Sequence, residues 1–196
     1  MLELSNLIAL RNDRELFSPV TVALGDGECL ELVGANGSGK STLLRTLAGL
    51  HEQFMGRFTC ADYLYQGHRL GLDEVMTPLE NLSWFLGMEG LSSEEGRIQE
   101  VLERVDMHDF AHRPSSRMSQ GQKRRISVAR WMLSSRPIWI LDEPFSYLDL
   151  QGIQIVNEVI KEKCSKGGIV VCATHVPLLY EGKTEWSLTP FDGLMQ

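Results

Sequence analysis

Nine consecutive residues carry the plainest chemistry in the chain: Gly34-Ala35-Asn36-Gly37-Ser38-Gly39-Lys40-Ser41-Thr42. Their spacing, G-x-x-x-x-G-K-[ST], is that of a phosphate-binding loop. Small residues let the backbone turn tightly enough to aim successive N–H groups at phosphate oxygens, and a helix starting beneath them adds the positive end of its dipole. In that geometry Lys40 reaches β- and γ-phosphates and Ser41 sets a hydroxyl on Mg²⁺. The bland alternative is a glycine-rich strand-turn-helix corner with no ligand. A nucleoside triphosphate is favoured because a strand-like run ends at Val33 and a helical run, Leu43 to Leu50, follows.

Two further groups could act on such a ligand. Asp142-Glu143 ends the apolar run Ile138-Trp139-Ile140-Leu141. A carboxylate there, Asp142, can hold Mg²⁺ or its waters opposite Ser41, and Glu143 can polarise an attacking water. Taken singly, the first could be only a cap and the second only a surface carboxylate. Ser119-Gln120-Gly121-Gln122 reads as an S-x-x-Q capping box at a helix start, and the same unpaired N–H groups make an anion site. The two readings are compatible.

Positioning these groups requires a layered α/β fold. Val20 to Leu24 alternates, a Gly25-Asp26-Gly27 turn follows, and Cys29 to Val33 leads into the loop, so residues 1–33 read as strands forming a sheet edge. Ile138 to Leu141 and Ile169 to Thr174 are continuously apolar, as in parallel strands buried on both faces. Between Arg69 and Ser135 the pattern turns helical, with capping boxes expected at Thr77-Pro78-Leu79-Glu80 and at Ser92-Ser93-Glu94-Glu95. Strands alternating with helices imply right-handed crossovers and a parallel sheet with helices on both faces. Ligands bind such folds beyond the carboxyl ends of the strands, where Gly34, Gln66, Asp142 and His175 all fall.

Composition narrows the function classes. The 196 residues carry a formal net charge of −7 and no basic block longer than Lys123-Arg124-Arg125, which disfavours a nucleic-acid partner. No stretch is long enough to span a bilayer, and Met-Leu-Glu-Leu-Ser-Asn does not read as a signal peptide. Cys29, Cys60, Cys164 and Cys172 lack the paired spacing of a zinc site or redox dithiol and are expected as buried thiols in a reducing compartment.

Gly34 to Thr42, Gln66, Ser119 to Gln122, Ile138 to Glu143, Leu148-Asp149 and His175, in this order, resemble the ATP-binding cassette ATPases over nearly the whole chain. The resemblance implies a RecA-like P-loop NTPase: a mostly parallel sheet, an N-terminal antiparallel β edge and an inserted helical subdomain. Residues 1–196 would form one nucleotide-binding domain, with 1–68 and 136–196 as the ATPase core and 69–135 as the helical signature subdomain. It implies ATP with Mg²⁺, hydrolysed in a head-to-tail homodimer. Gly34, Asn36, Gly37, Ser38, Gly39, Lys40, Ser41 and Thr42 of one copy would hold the phosphates, facing Ser119, Gly121 and Gln122 of the other. Ser41, Gln66 and Asp142 would hold Mg²⁺. Glu143 would activate water, Lys40 would grip the transferred phosphate, and Gln66 would sense it. Asp149 would link the two sites, and His175 would hold the γ-phosphate and the water.

Two departures stand out. Gln120 replaces the family's usual signature glycine, and Arg11 aligns where an aromatic commonly stacks on adenine, a place a guanidinium can also take. Arg11 to Phe17, Trp139 to Phe145, Gly167 to Val171 and Thr174 to Leu178 look like the ATPase subunits of bacterial cytochrome c maturation systems, of the haem exporter type. That likeness implies a peripheral subunit at the cytoplasmic face of the bacterial inner (plasma) membrane, docked through a groove around Gln66 to Trp84 on separate integral-membrane subunits. The alternatives are the ATPase of another small-molecule transporter, or an ATP-driven dimerisation switch acting on a soluble partner. Glu143 and His175 favour hydrolysis over a pure switch.

Overall fold

The computed structural model describes residues 1–191, which pack as two compact units. The first takes in Met1–Gly67, Arg136–Pro144 and the chain from Ile160 onward; the second takes in His68–Ser135 and Phe145–Val159.

The first unit holds two sheets. Strands β1 (Leu2–Arg11), β2 (Arg14–Glu15), β3 (Val20–Leu24) and β5 (Phe54–Cys60) form an antiparallel sheet in which β1 pairs with the other three. Strands β4 (Cys29–Val33), β6 (Tyr63–Gln66), β7 (Ile138–Asp142), β8 (Ile169–Ala173) and β9 (Lys183–Ser187) form a parallel sheet in the order β6-β7-β8-β4-β9. Both β7 and β8 are buried along their whole length, which is why they read as unbroken apolar runs.

Alternation along the strands gives the parallel sheet two different faces. Leu30, Leu32, Ile138, Ile140 and Val171 join Leu43, Leu44 and Leu47 of α1 (Lys40–Leu47) in one apolar core. This helix packs against β7 and β8 of one sheet and β1 and β5 of the other, so it is the layer between them. On the other face, Lys163, in the last turns of α5 (Leu150–Ser165), lies 4.8 Å over the Trp139 ring. Gly49, with φ 63, ends the α1 region as its position suggests, and Leu50 is exposed beyond it.

The second unit contains α2 (Pro78–Met88), α3 (Glu95–Arg104), α4 (Gln120–Leu133) and the first turns of α5. The Thr77 box forms: Thr77 Oγ1 accepts from Glu80 N–H at 3.3 Å and Glu80 Oε2 accepts from Thr77 N–H at 2.8 Å. The box expected at Ser92 does not form. The chain stays extended through Glu94, so Glu95 becomes the first residue of α3 rather than the third, and no side chain caps that end. Leu82, Leu86, Ile98, Leu102, Ile126 and Trp131 are buried, and α2, α3 and α4 pack on one another. Among the described residues, no helix is long and apolar enough to cross a membrane.

Candidate functional site

The loop between β4 and α1 needs its glycines for different reasons. At Gly34, φ 147, a Cβ would lie 2.8 Å from both the Leu188 carbonyl and Ser38 Oγ. At Gly39, φ 97, it would lie 2.5 Å from Cδ1 of Phe17, whose fully buried ring forms the floor of the turn. At Gly37, φ 82, nothing lies within 4 Å, so this corner faces open space and only its backbone requires glycine. Asn36 is exposed in this turn, and Thr42 is half-buried in the first turn of α1.

Three observations fit this loop to phosphate. Lys40, nearly buried, donates from Nζ to the carbonyls of Gly34 (2.7 Å) and Ala35 (3.1 Å), which holds its charge across the loop. Ser38 Oγ is buried with no protein partner, an orphan that an incoming acceptor would satisfy. The first turn of α1 has no acidic residue, so its positive end is not neutralised from within.

At the end of β7, two places along the sheet from β4, Asp142 Oδ1 accepts from Ser41 Oγ at 3.0 Å. A hydroxyl beside a nearly buried carboxylate is a hard-oxygen pair suited to a divalent cation that takes its remaining ligands from phosphate and water. Gln66 ends β6, in register with Leu141, and its buried amide donates to the Gly67 carbonyl at 2.9 Å. Glu143 follows Asp142 with φ 50, and its N–H donates to the Ala173 carbonyl at 2.8 Å. His175 Nε2 lies 3.4 Å from Glu143 Oε1. The first unit therefore brings Lys40 to the loop, Ser41 to Asp142, and Glu143 to His175. Arg11 stands exposed at the end of β1, beside the left-handed Asn12-Asp13 turn, and among the described residues no bond ties it to the loop.

The second unit carries the other predicted residues. Ser119 caps α4: its Oγ accepts from Gln122 N–H at 3.2 Å, and Gln122 Oε1 accepts from Ser119 N–H at 3.0 Å. Gln120 is exposed at the first helical position. A Cβ on Gly121 would sit 2.7 Å from the Tyr147 carbonyl, so this glycine lets the 145–149 loop close onto the helix. Asp149 Oδ1 accepts from Gly152 N–H (2.8 Å) and Arg125 Nη2 (2.9 Å). The Gly152 bond, and then the Arg125 charge, hold the Asp149 carboxyl below its ordinary value. A pocket of about 370 Å³ opens here, lined by Ser119 to Gln122, Arg125 and Tyr147 to Asp149.

Sequence reasoning missed three residues. Arg125 was readable in principle, four positions after Gly121 on the same helix face. Tyr147 and Phe17 give no local signal, because what matters is the carbonyl of one and the ring edge of the other against distant glycines.

The fold itself has close counterparts. A putative ABC transporter ATP-binding protein from Pyrococcus furiosus superposes with a TM-score of 0.86, at 22% identity over 95% of this chain and 96% of its own. The ATP-binding subunit of another ABC transporter gives 0.80, at 23% identity over 98% and 90%. Residues 17–146 match the family described as ABC transporter, and the chain belongs to that family as an ATP-binding ATPase subunit. Within it, the chain is 34% identical over 192 residues to the cytochrome c biogenesis ATP-binding export protein CcmA of Saccharophagus degradans, covering 88% of this chain and 86% of that protein. It is 38% identical over 191 residues to the CcmA of Pseudomonas aeruginosa, covering 91% and 94%. ATPase subunits of this family dimerise and work with membrane subunits.

Proposed function

We propose that this ATPase works as a Mg²⁺-dependent, head-to-tail homodimer at the cytoplasmic face of the bacterial inner membrane, driving membrane subunits that serve haem delivery in cytochrome c maturation. The observation that carries the catalytic part is the Glu143–His175 pair, 3.4 Å apart, beside the Ser41–Asp142 pair at 3.0 Å. The loop N–H groups and Lys40 bind the phosphates of ATP. Ser41, Asp142 and Gln66 would hold Mg²⁺, which when bound neutralises charge on the phosphate oxygens. Glu143 takes the proton of the attacking water, and His175 orients that water and the γ-phosphate. The water oxygen bonds to the γ-phosphorus as the bond to the β–γ bridging oxygen breaks, leaving ADP and phosphate.

The free end of α4, with Ser119, Gly121 and Gln122, receives the terminal phosphate held by the partner copy, and Asp149 reports between the two sites. Arg11 stacks on adenine in place of an aromatic. The membrane subunit docks on the helical unit, where Trp84 and Met88, four residues apart on α2, and Val75 are exposed apolar side chains. The haem assignment is supported by relatives whose names place them in cytochrome c biogenesis.

Glu143→Gln tests the catalytic core. ATP binding should persist, turnover should fall roughly 10²-fold or more, and ATP-bound dimers should accumulate on size-exclusion with light scattering. Unchanged hydrolysis removes Glu143 from this role. Co-purification from detergent-solubilised membranes tests the partner: recovery as a monomer with no membrane protein attached defeats the transport reading.

A further inference from the structure

Among the described charged side chains outside the hydrolytic set, Glu31 and Arg124 are the most deeply buried. Glu31 lies in the middle of β4, three residues before the phosphate loop, and is 1% exposed. An apolar side chain would fill this strand position without burying a charge, and a buried carboxylate is tolerated only when its partners are excellent. Glu31 has such partners, and both of its oxygens point to the same distant segment.

Glu31 Oε1 accepts from Leu178 N–H at 2.8 Å, and Oε2 accepts from Lys183 Nζ in an ion pair. Lys183 Nζ also donates to the Leu178 carbonyl at 2.9 Å. Leu178 is therefore gripped by both of its backbone groups, the N–H by Glu31 and the carbonyl by Lys183. The segment has further ties: Thr174 Oγ1 accepts from Val176 N–H and donates to the Val176 carbonyl, each at 3.0 Å, and Tyr180 Oη donates to the Gly27 carbonyl at 3.1 Å. His175 stands inside this segment, three residues before Leu178, and its own side chain is about half exposed. These bonds fix the backbone from which its imidazole reaches Glu143.

We propose that Glu31, with Lys183, is a positioning residue for hydrolysis: it anchors the 174–182 segment to the strand that feeds the phosphate loop, and so holds His175 at Glu143. This rests on the assignment of His175 under Proposed function. Its bonds go to Leu178 and Lys183, and its effect on hydrolysis runs through His175.

Steady-state ATPase kinetics test this with Glu31→Gln, Lys183→Met and Lys183→Arg, and with the first two repeated in a His175→Ala background. Glu31→Gln and Lys183→Met should each lower kcat about tenfold while KM for ATP stays within about threefold. Lys183→Arg, which keeps the ion pair, should retain about half of the turnover or more. In the His175→Ala background the first two substitutions should change turnover less than about twofold, because the residue they act through is gone. Equal losses in both backgrounds would mean general damage to the fold and overturn the proposal, as would unchanged kcat in both single variants. Should Glu31→Gln fail to fold, Lys183→Met carries the same test. Wild-type turnover in His175→Ala alone would defeat the assignment of His175, an outcome read separately from any effect of Glu31.

Discussion

Gly39→Ala asks why the loop turns on glycine where it does. An alanine Cβ there would lie 2.5 Å from Phe17 Cδ1, 3.0 Å from Cε1 and 3.4 Å from Leu16 Cβ. Carbon atoms settle near 3.5–4.0 Å, so the ring must retreat by about 1 Å, yet Phe17 is fully buried in the core beneath it. The backbone adds its own penalty, since φ 97 is open to glycine and closed to most other residues. Left-handed backbone costs a non-glycine residue about 1–2 kcal/mol and overpacking about 1–3, together about 2–5 kcal/mol. A domain with about 5–15 kcal/mol of stability survives that, and the loop relieves the strain by moving, which spoils the aim of its N–H groups. At about 1.4 kcal/mol per tenfold, ATP affinity should fall about 30-fold or more. Phe17→Leu in the Gly39→Ala background removes the ring edge and should recover only the packing share, about tenfold. Titration with a fluorescent ATP analogue, alongside thermal unfolding, reads both steps. The reasoning fails if Gly39→Ala binds ATP within about threefold of wild type, or if the double variant binds no better than the single one.

Gly121→Ala should leave nucleotide affinity of the monomer unchanged but abolish the ATP-dependent dimer in size-exclusion runs, because the Cβ displaces the Tyr147 carbonyl 2.7 Å away. Asp149, whose folded pKa lies below its ordinary value, contributes stability that is complete above about pH 4 and is lost as pH falls through that lower value. The unfolding midpoints of wild type and Asp149→Asn should therefore differ at pH 5 and draw together as pH falls below the ordinary carboxylate value of about 4. Iodoacetamide on the native protein should modify Cys60 and spare buried Cys29, Cys164 and Cys172 until denaturant is added, and it should do so slowly, since burial raises the Cys60 thiol. Mass spectrometry of the labelled peptides decides.

What could be read from the sequence is what is written locally. The β7 and β8 runs announced strands buried on both faces, and the Ser119 box could be read because its two bonds join residues three apart. The Ser92 box has the same spelling and did not form, since spelling does not show where the chain stops being extended. Contacts between distant segments left no mark. Cys29 and Cys164 are unremarkable singly, yet they interact across the fold, which pushes the Cys29 thiol up and the Cys164 thiol down. Glu31 interrupts an otherwise apolar strand, and the N–H it satisfies lies 147 residues away. Likewise Phe145–Val159 groups with the helical unit because of packing.

The chain breaks its own local rules most clearly just after β7. Glu143 has φ 50 and Tyr147 φ 68, left-handed conformations for two residues that are neither glycine nor the tolerant Asn and Asp. Each costs about 1–3 kcal/mol and persists only where its surroundings insist on it. They do: Glu143 N–H is bound to the Ala173 carbonyl, Leu148 N–H to the Phe145 carbonyl at 3.2 Å, and the Tyr147 carbonyl closes on Gly121. The geometry of a strand explains what this strain achieves. Successive side chains of a strand point to opposite faces, so an extended Glu143 would turn away from the face Asp142 serves. Asp142 must meet Ser41, and Glu143 must meet His175 at the end of the adjoining strand. Two neighbouring carboxylates can reach these two partners because the backbone leaves the strand's alternation at the second of them. A glycine at 143 would remove the strain and the carboxylate together, so the strained conformation stays where the hydrolytic reading needs an acid side chain.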